Sequence, residues 1–197
     1  MPHSRIGSRS APSGRNDVIQ LQRGDHERVL QDFQEFERLE SLQASQACQR
    51  VVQRTFAELK VLADVEQQLF YPAVHDAIAG TDLIDQSQIE HARIQRTIAE
   101  LEDVEPSEER YWRRFRTLGE YVRRHVADEE GELFPMLACV PIDWDRLYEE
   151  MAMRRAQLAE DLGVTYVPPL RHERAVAELE PIFYDEHDDE LALEGQH

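Results

Sequence analysis

Two stretches of the chain share one plan. Leu62 to Pro72 reads LADVEQQLFYP, and His125 to Pro135 reads HVADEEGELFP. Each carries a glutamate four residues after its first position, Glu66 and Glu129, and a proline ten after it. Residues four apart on a helix share a face, roughly 6 Å from one another, so His125 and Glu129 can hold one ion together. The other stretch has Leu62 in place of that histidine. His26 and His91 extend the repeat on two further segments. A single helical histidine or glutamate is ordinarily a surface residue or a hydrogen-bonded one. Glu66 and Glu129, however, each precede an aromatic-rich turn, QLFYP and ELFP, that must face a core. Three histidines and two glutamates at matching positions therefore form one buried constellation, and carboxylates in a core require a cation or a partner. Imidazoles combined with carboxylates suit iron, manganese or zinc. Calcium takes oxygen ligands only.

The segments that must position these residues have helical period almost throughout. Between Asp17 and about Gly163, Glu, Gln, Arg, Leu and Ala dominate and β-branched runs are absent. The pattern predicts a first helix over Asp17 to Ser41, with Val18, Leu21, Leu30, Phe33 and Phe36 apolar, and a second over Ser45 to Ala79, stopped by Gly80. A third runs from Thr81 to about Val104. EPSEE opens a fourth that reaches about Ala138, and Asp143 caps a fifth, WDRLYEEMAMRRAQLAEDLG. Four long helices joined by short loops predict an all-α, antiparallel up-down four-helix bundle with an additional C-terminal helix. In such a bundle the repeated positions meet at a common depth.

Residues 1–16, rich in Ser, Gly, Pro and Arg, read as a disordered basic arm, and residues 164–197 as an acidic, disordered tail. The net charge of −18 argues against nucleic acid or an anionic membrane as partner. No apolar run approaches a membrane span, and MPHSRIGSRSAPSGRN, with arginines but no apolar h-region, is not expected to be a secretory signal. Cys48 and Cys139 have no CxxC spacing, so neither a disulfide framework nor a thiolate site is indicated and a reducing cytoplasm is expected.

The segments GDHERVLQDFQEFE, LKVLADVEQQLFYPAV, EHARIQRTIAEL and RRHVADEEGELFPML together resemble the hemerythrin-like proteins, in particular the bacterial HHE cation-binding domain. The resemblance covers about Asp17 to Leu162, with a domain expected over residues 17–163. It implies a four-helix bundle around a bridged, non-haem di-iron centre that binds dioxygen, or a sensing, storage or peroxide-handling variant of it. Carried over by position, the metal ligands are His26, Glu66, His91, His125 and Glu129. Glu66 and Glu129 bridge, His91 and His125 serve one iron, and His26 serves the other.

Leu62 departs from the family pattern, which has histidine there, and makes the iron site beside His26 incomplete. Glu58, one turn earlier on the same face, is the first candidate to replace the missing ligand. His75 points away from that face, and Tyr121, one turn before His125, either hydrogen-bonds near the centre or fills the core. The implied partner is dioxygen or another small diatomic or peroxide ligand. A metal- and oxygen-binding protein is the leading reading, and whether it is also an enzyme stays open. The alternatives are an oxidoreductase acting on peroxide or nitric oxide, and a mononuclear or metal-free helical scaffold.

Overall fold

The structure, a computed structural model, describes residues 13–78, 82–106 and 109–165. Gly80, residues 107 and 108 of the EPSEE signal, and most of the expected basic arm and acidic tail lie outside the described residues. Five helices account for nearly all of the rest, and the described residues contain no strand. They are α1 (Ser13–Ser41), α2 (Ser45–Val65), α3 (Leu83–Glu102), α4 (Glu109–Asp128) and α5 (Trp144–Leu162). Helices α1 to α4 pack as a ring of neighbours, joined by short connections, so successive helices run antiparallel. Helix α5 lies across α1 and α2.

α1 begins at Ser13, four residues before the expected start at Asp17, so residues 13–16 of the expected arm are helical. Tertiary contact explains the extension. Gly14 lets the first turn close on α5, where a Cβ would come within 2.9 Å of the Asp145 backbone nitrogen. Along α1 the inward positions are Val18, Leu21, Val29, Phe33 and Phe36. Leu30, expected inside, is half-buried, because the helical face that carries Val18 and His26 brings Val29 inward. α5 starts at Asp143, whose carboxylate accepts from the Arg146 N–H at 3.1 Å. It ends at Gly163 in the left-handed conformation (φ 68°), with Val164 N–H reaching back to Ala159 O at 2.9 Å.

α2 and α4 each run on through one π-helical turn, Glu66–Phe70 and Glu129–Leu133, into a further short helical segment, Tyr71–His75 and Phe134–Met136. In both, the N–H of the aromatic residue bonds five residues back, Tyr71 to Glu66 O and Phe134 to Glu129 O. Pro72 and Pro135 follow immediately. A proline has no N–H to give and its ring clashes with the carbonyl four residues earlier in a tight α-turn. The wider turn relieves that clash and admits one extra residue, and such turns are frequent at functional sites.

The apolar core is in two parts. One contains Val18, Val61, Phe70, Tyr71, Leu133, Leu137, Trp144 and Met151, and the other Val29, Phe33, Phe56, Ile94, Phe115 and Leu118. Along α1, α3 and the continuation of α4, His26, His91 and Glu129 fall between these two parts. A second buried polar group joins α5 to the bundle. Arg155 is fully buried, pairs with Asp25 of α1 and donates to Glu58 Oε2 of α2 at 2.7 Å.

Replacing Arg155 by Ala should be strongly destabilising, because it takes the fully buried cation from two buried carboxylates and leaves them to the partly exposed Arg28. Losing one partner of such a group costs about 3–5 kcal/mol, which is about 10 °C in Tm for a chain of this size. The combination of Arg155→Met with Asp25→Asn and Glu58→Gln should recover most of the loss. Thermal unfolding measures both, and a near-wild-type Tm for the single variant would refute the internal role of Arg155.

Candidate metal centre

Each π-turn begins on a site glutamate, and each glutamate is in the core. Glu66 is 0% and Glu129 1% exposed, and His26, His91 and His125 are each at most 2% exposed. The structure thus brings all five expected residues together, each from the expected helix. His91 Nε2 lies 3.0 Å from Glu66 Oε2 and 2.9 Å from His125 Nε2. On the other side, His26 Nε2 lies 3.4 Å from Glu66 Oε1 and 3.3 Å from Glu129 Oε2. Two groups of donor atoms result, Glu66–His91–His125 and His26–Glu66–Glu129, each spanning no more than 4.8 Å. Glu66 belongs to both.

Five further residues complete the surroundings. Tyr71 Oη donates to Glu129 Oε1 at 2.6 Å and lies 3.0 Å from His91 Nε2. Gln22 Nε2 donates to Glu66 Oε1 at 2.9 Å. Glu90 Oε2 lies 3.1 Å from His125 Nδ1, and Glu130 Oε1 lies 2.9 Å from His26 Nδ1. Phe134 stacks on the His26 ring, centroids 5.9 Å apart. Helical spacing places Gln22, four residues before His26, on the face of the site, whereas Tyr71, five after Glu66, reaches it through the π-turn, and Glu90 and Glu130 adjoin His91 and Glu129 in sequence. Sequence reasoning missed all four polar residues, because spacing alone does not tell which partner a side chain meets across the bundle.

The charges are mutually dependent. Burial opposes ionisation of Glu66, yet hydrogen bonds and charge from His26 and His91 hold its carboxyl well below the usual range. Burial likewise opposes a charged His26, but Glu129, Glu130 and Glu66 push its pKa well above the ordinary imidazole value. His125 is raised against burial by Glu129, Glu90 and Glu66. Burial, then the Glu66 and Glu129 charges, keep the Tyr71 hydroxyl protonated.

Several of these atoms lack a hydrogen-bond partner, among them His26 Nε2, Glu66 Oε2 and Glu129 Oε2. Buried polar atoms are ordinarily satisfied. Unsatisfied imidazole and carboxylate atoms aimed at common points form a donor set that fits a first-row metal ion. Each of the three histidines is also arranged for such an ion, with Nε2 turned inward. Glu130 and Glu90 hold Nδ1 of His26 and His125, the support that metal-binding imidazoles generally have.

The candidates around Leu62 fall out differently. Leu62 is buried. Glu58, expected as the replacement ligand, is engaged by Arg155 and lies beside Arg28, because α5 supplies a cation on that side of α2. His75 is exposed, as expected. Tyr121 is half-buried with the Arg93 guanidinium 5.3 Å from its ring centroid, and it packs on the second core part rather than at the centre.

The profile of the hemerythrin HHE cation binding domain matches residues 17–137. Neither a curated protein nor a solved structure matches the chain.

The pKa shifts set the pH response of the metal-free protein. The stability contributed by His26 and His125, both raised, is complete below an imidazole's ordinary pKa of about 6.5 and is lost as pH rises through their folded values. Glu66 is lowered, so its contribution is present above about 4.5 and is lost as pH falls through its folded value. Metal-free protein should therefore melt highest at mildly acidic pH and lose Tm on the alkaline side. A bound metal competes with protons for the same imidazoles, so loading should reverse that alkaline trend. Melting curves across pH, with and without metal, check this. A metal-free Tm that climbs steadily through neutral pH would contradict it.

Proposed function

We propose that this chain, which belongs to the hemerythrin HHE cation-binding domain family, is a non-haem iron protein that binds or senses dioxygen or a comparably small ligand. The supporting observation is the pair of donor groups that share Glu66 in a site closed to bulk water. Its ligands in this reading are His91 and His125 for one ion and His26 for the other, with Glu66 and Glu129 between them. Two irons held there would supply reversible binding of a small ligand coupled to a change in oxidation state. The functional unit is residues 17–163, since α5 covers α1 and α2.

The chain's own groups do the rest. An imidazole that gives Nε2 to a metal must keep its proton at Nδ1, and Glu130 and Glu90 hold it there on His26 and His125. Glu130 is itself about one-third exposed (32%), so its carboxylate holds the His26 Nδ1 proton from the solvent edge of the site. Tyr71 donates to Glu129 Oε1, which fixes that carboxylate and leaves Oε2 facing His26. The two apolar core parts and the Phe134 ring keep water out, so only a small ligand can enter. No described helix is long and apolar enough to cross a membrane. Cys48 and Cys139 are unpaired, which supports work in a reducing compartment such as the cytoplasm.

The test is iron content and visible spectrum of protein loaded with iron(II) and exposed to air. A stable, ligand-dependent iron chromophore supports the reading, and turnover of added peroxide would favour the oxidoreductase alternative. Protein that retains no iron would refute both. The two sites should also be unequal. His125→Ala should abolish tight iron binding, whereas His26→Ala should remove no more than one ion per chain. Metal analysis after gel filtration measures this, and equal losses in the two variants would count against it.

A further inference from the structure

The two halves of the site are repeats, and their differences point to an additional metal ligand. His26 on α1 matches His91 on α3, and Glu66 on α2 matches Glu129 on α4. One turn before each histidine stands a buried polar residue, Gln22 in the first half and Ser87 in the second. One turn before each glutamate stands Leu62 in the first half and His125 in the second. The half that lacks the imidazole thus carries the longer polar side chain on the facing helix.

Gln22 is fully buried and reaches the centre. Its Nε2 lies 2.9 Å from Glu66 Oε1, the same oxygen that lies 3.4 Å from His26 Nε2. Its Oε1 has no hydrogen-bond partner. A buried amide satisfied at one end only is costly to keep, and native cores seldom retain one without a use. The two ends of an amide exchange by a half-turn of the last side-chain torsion. Without metal, the NH2 end is the one that suits a carboxylate. With a cation shared by His26 Nε2, Glu66 Oε1 and Glu129 Oε2, the carbonyl end suits that place instead.

We propose that the Gln22 amide carbonyl is a ligand of the ion held by His26, Glu66 and Glu129, in the coordination position that Leu62 cannot supply. This rests on the reading of the site as a metal centre. The second ion then has one imidazole, one amide and two carboxylates around it. Such a set is harder and more oxygen-rich than the His91–His125 side, and suits iron(II) or manganese(II) over softer ions.

The test is anaerobic titration of the full chain with iron(II), read by calorimetry and by metal content after gel filtration. Wild type should take two ions per chain. Gln22→Leu should keep the first and weaken the second at least tenfold. Adding Leu62→His to Gln22→Leu should restore the second ion, and Gln22→Glu should retain it. Melting of each metal-free variant shows that it is folded. Unchanged binding of two ions by Gln22→Leu would overturn the proposal, as would wild type that takes only one. Loss of both ions, or no recovery in the folded double variant, would also overturn it by showing that Gln22 only props Glu66. Wild type that takes no ion would refute the metal-centre reading itself, which separates that failure from this one.

Discussion

Two glutamates that water cannot reach set the terms for the rest of this protein. A carboxylate in a low-dielectric core must be paired, hydrogen-bonded or neutralised. Glu66 and Glu129 answer this from opposite sides of the bundle by drawing in His26, His91, Gln22 and Tyr71. Without metal the carboxylates favour the charged imidazole, which is why burial fails to depress the pKa of His26 and His125. The same atoms suit a metal cation better than a proton, since one cation can satisfy several of them at once. The division of the apolar core follows, because a polar layer of this size needs hydrophobic packing on both sides to stay ordered.

The helices that carry the glutamates are shaped for the purpose. A plain α-helix running into Pro72 or Pro135 would clash or break. The π-turn that begins on each glutamate takes up one extra residue and restores the helix beyond it. Because both copies do this at the same step, Tyr71 and Phe134 occupy equivalent places, each against a histidine of the opposite half: Tyr71 beside His91, Phe134 on His26. The chemistry differs between them by one hydroxyl. That hydroxyl ties His91 and Glu129 together on one side, while the His26 side is simply capped by a ring.

Much of this was legible in the sequence because it is periodic. The four bundle helices, most of the inward face of α1 and the five histidines and glutamates follow from helical spacing and the repeated plan of a glutamate six residues before a proline. What escaped depends on contacts between elements distant in sequence. Leu30 and Val29 are adjacent, and only packing decides which of them turns inward. Glu58 shares a face with Leu62, so it read as a substitute ligand, but spacing could not reveal that Arg155, 97 residues later, takes it. Ser13 to Asn16 look like part of a flexible arm until α5 is present for Gly14 to pack against. Glu90 and Glu130 stand next to site residues and so face a neighbouring helix, where sequence gives no partner.

The fate of Asp25 links the fifth helix to the missing histidine. Asp25 precedes His26 as Glu90 precedes His91. In the second half, Glu90 supports Nδ1 of His125 from the neighbouring helix. By the repeat, Asp25 stands where it would support an imidazole at position 62, and leucine there gives it nothing to hold. A buried carboxylate needs a cation, and Asp25 has two: Arg28, three residues on in α1, and Arg155. Arg155 also binds Glu58, so it joins the two carboxylates from α5, which crosses α1 and α2 at that level. Leucine at 62, glutamine at 22 and arginine at 155 are therefore parts of one arrangement. In it the first half gives up an imidazole and its carboxylate support, and gains a buried amide at the centre and a salt bridge that fixes a fifth helix to the bundle.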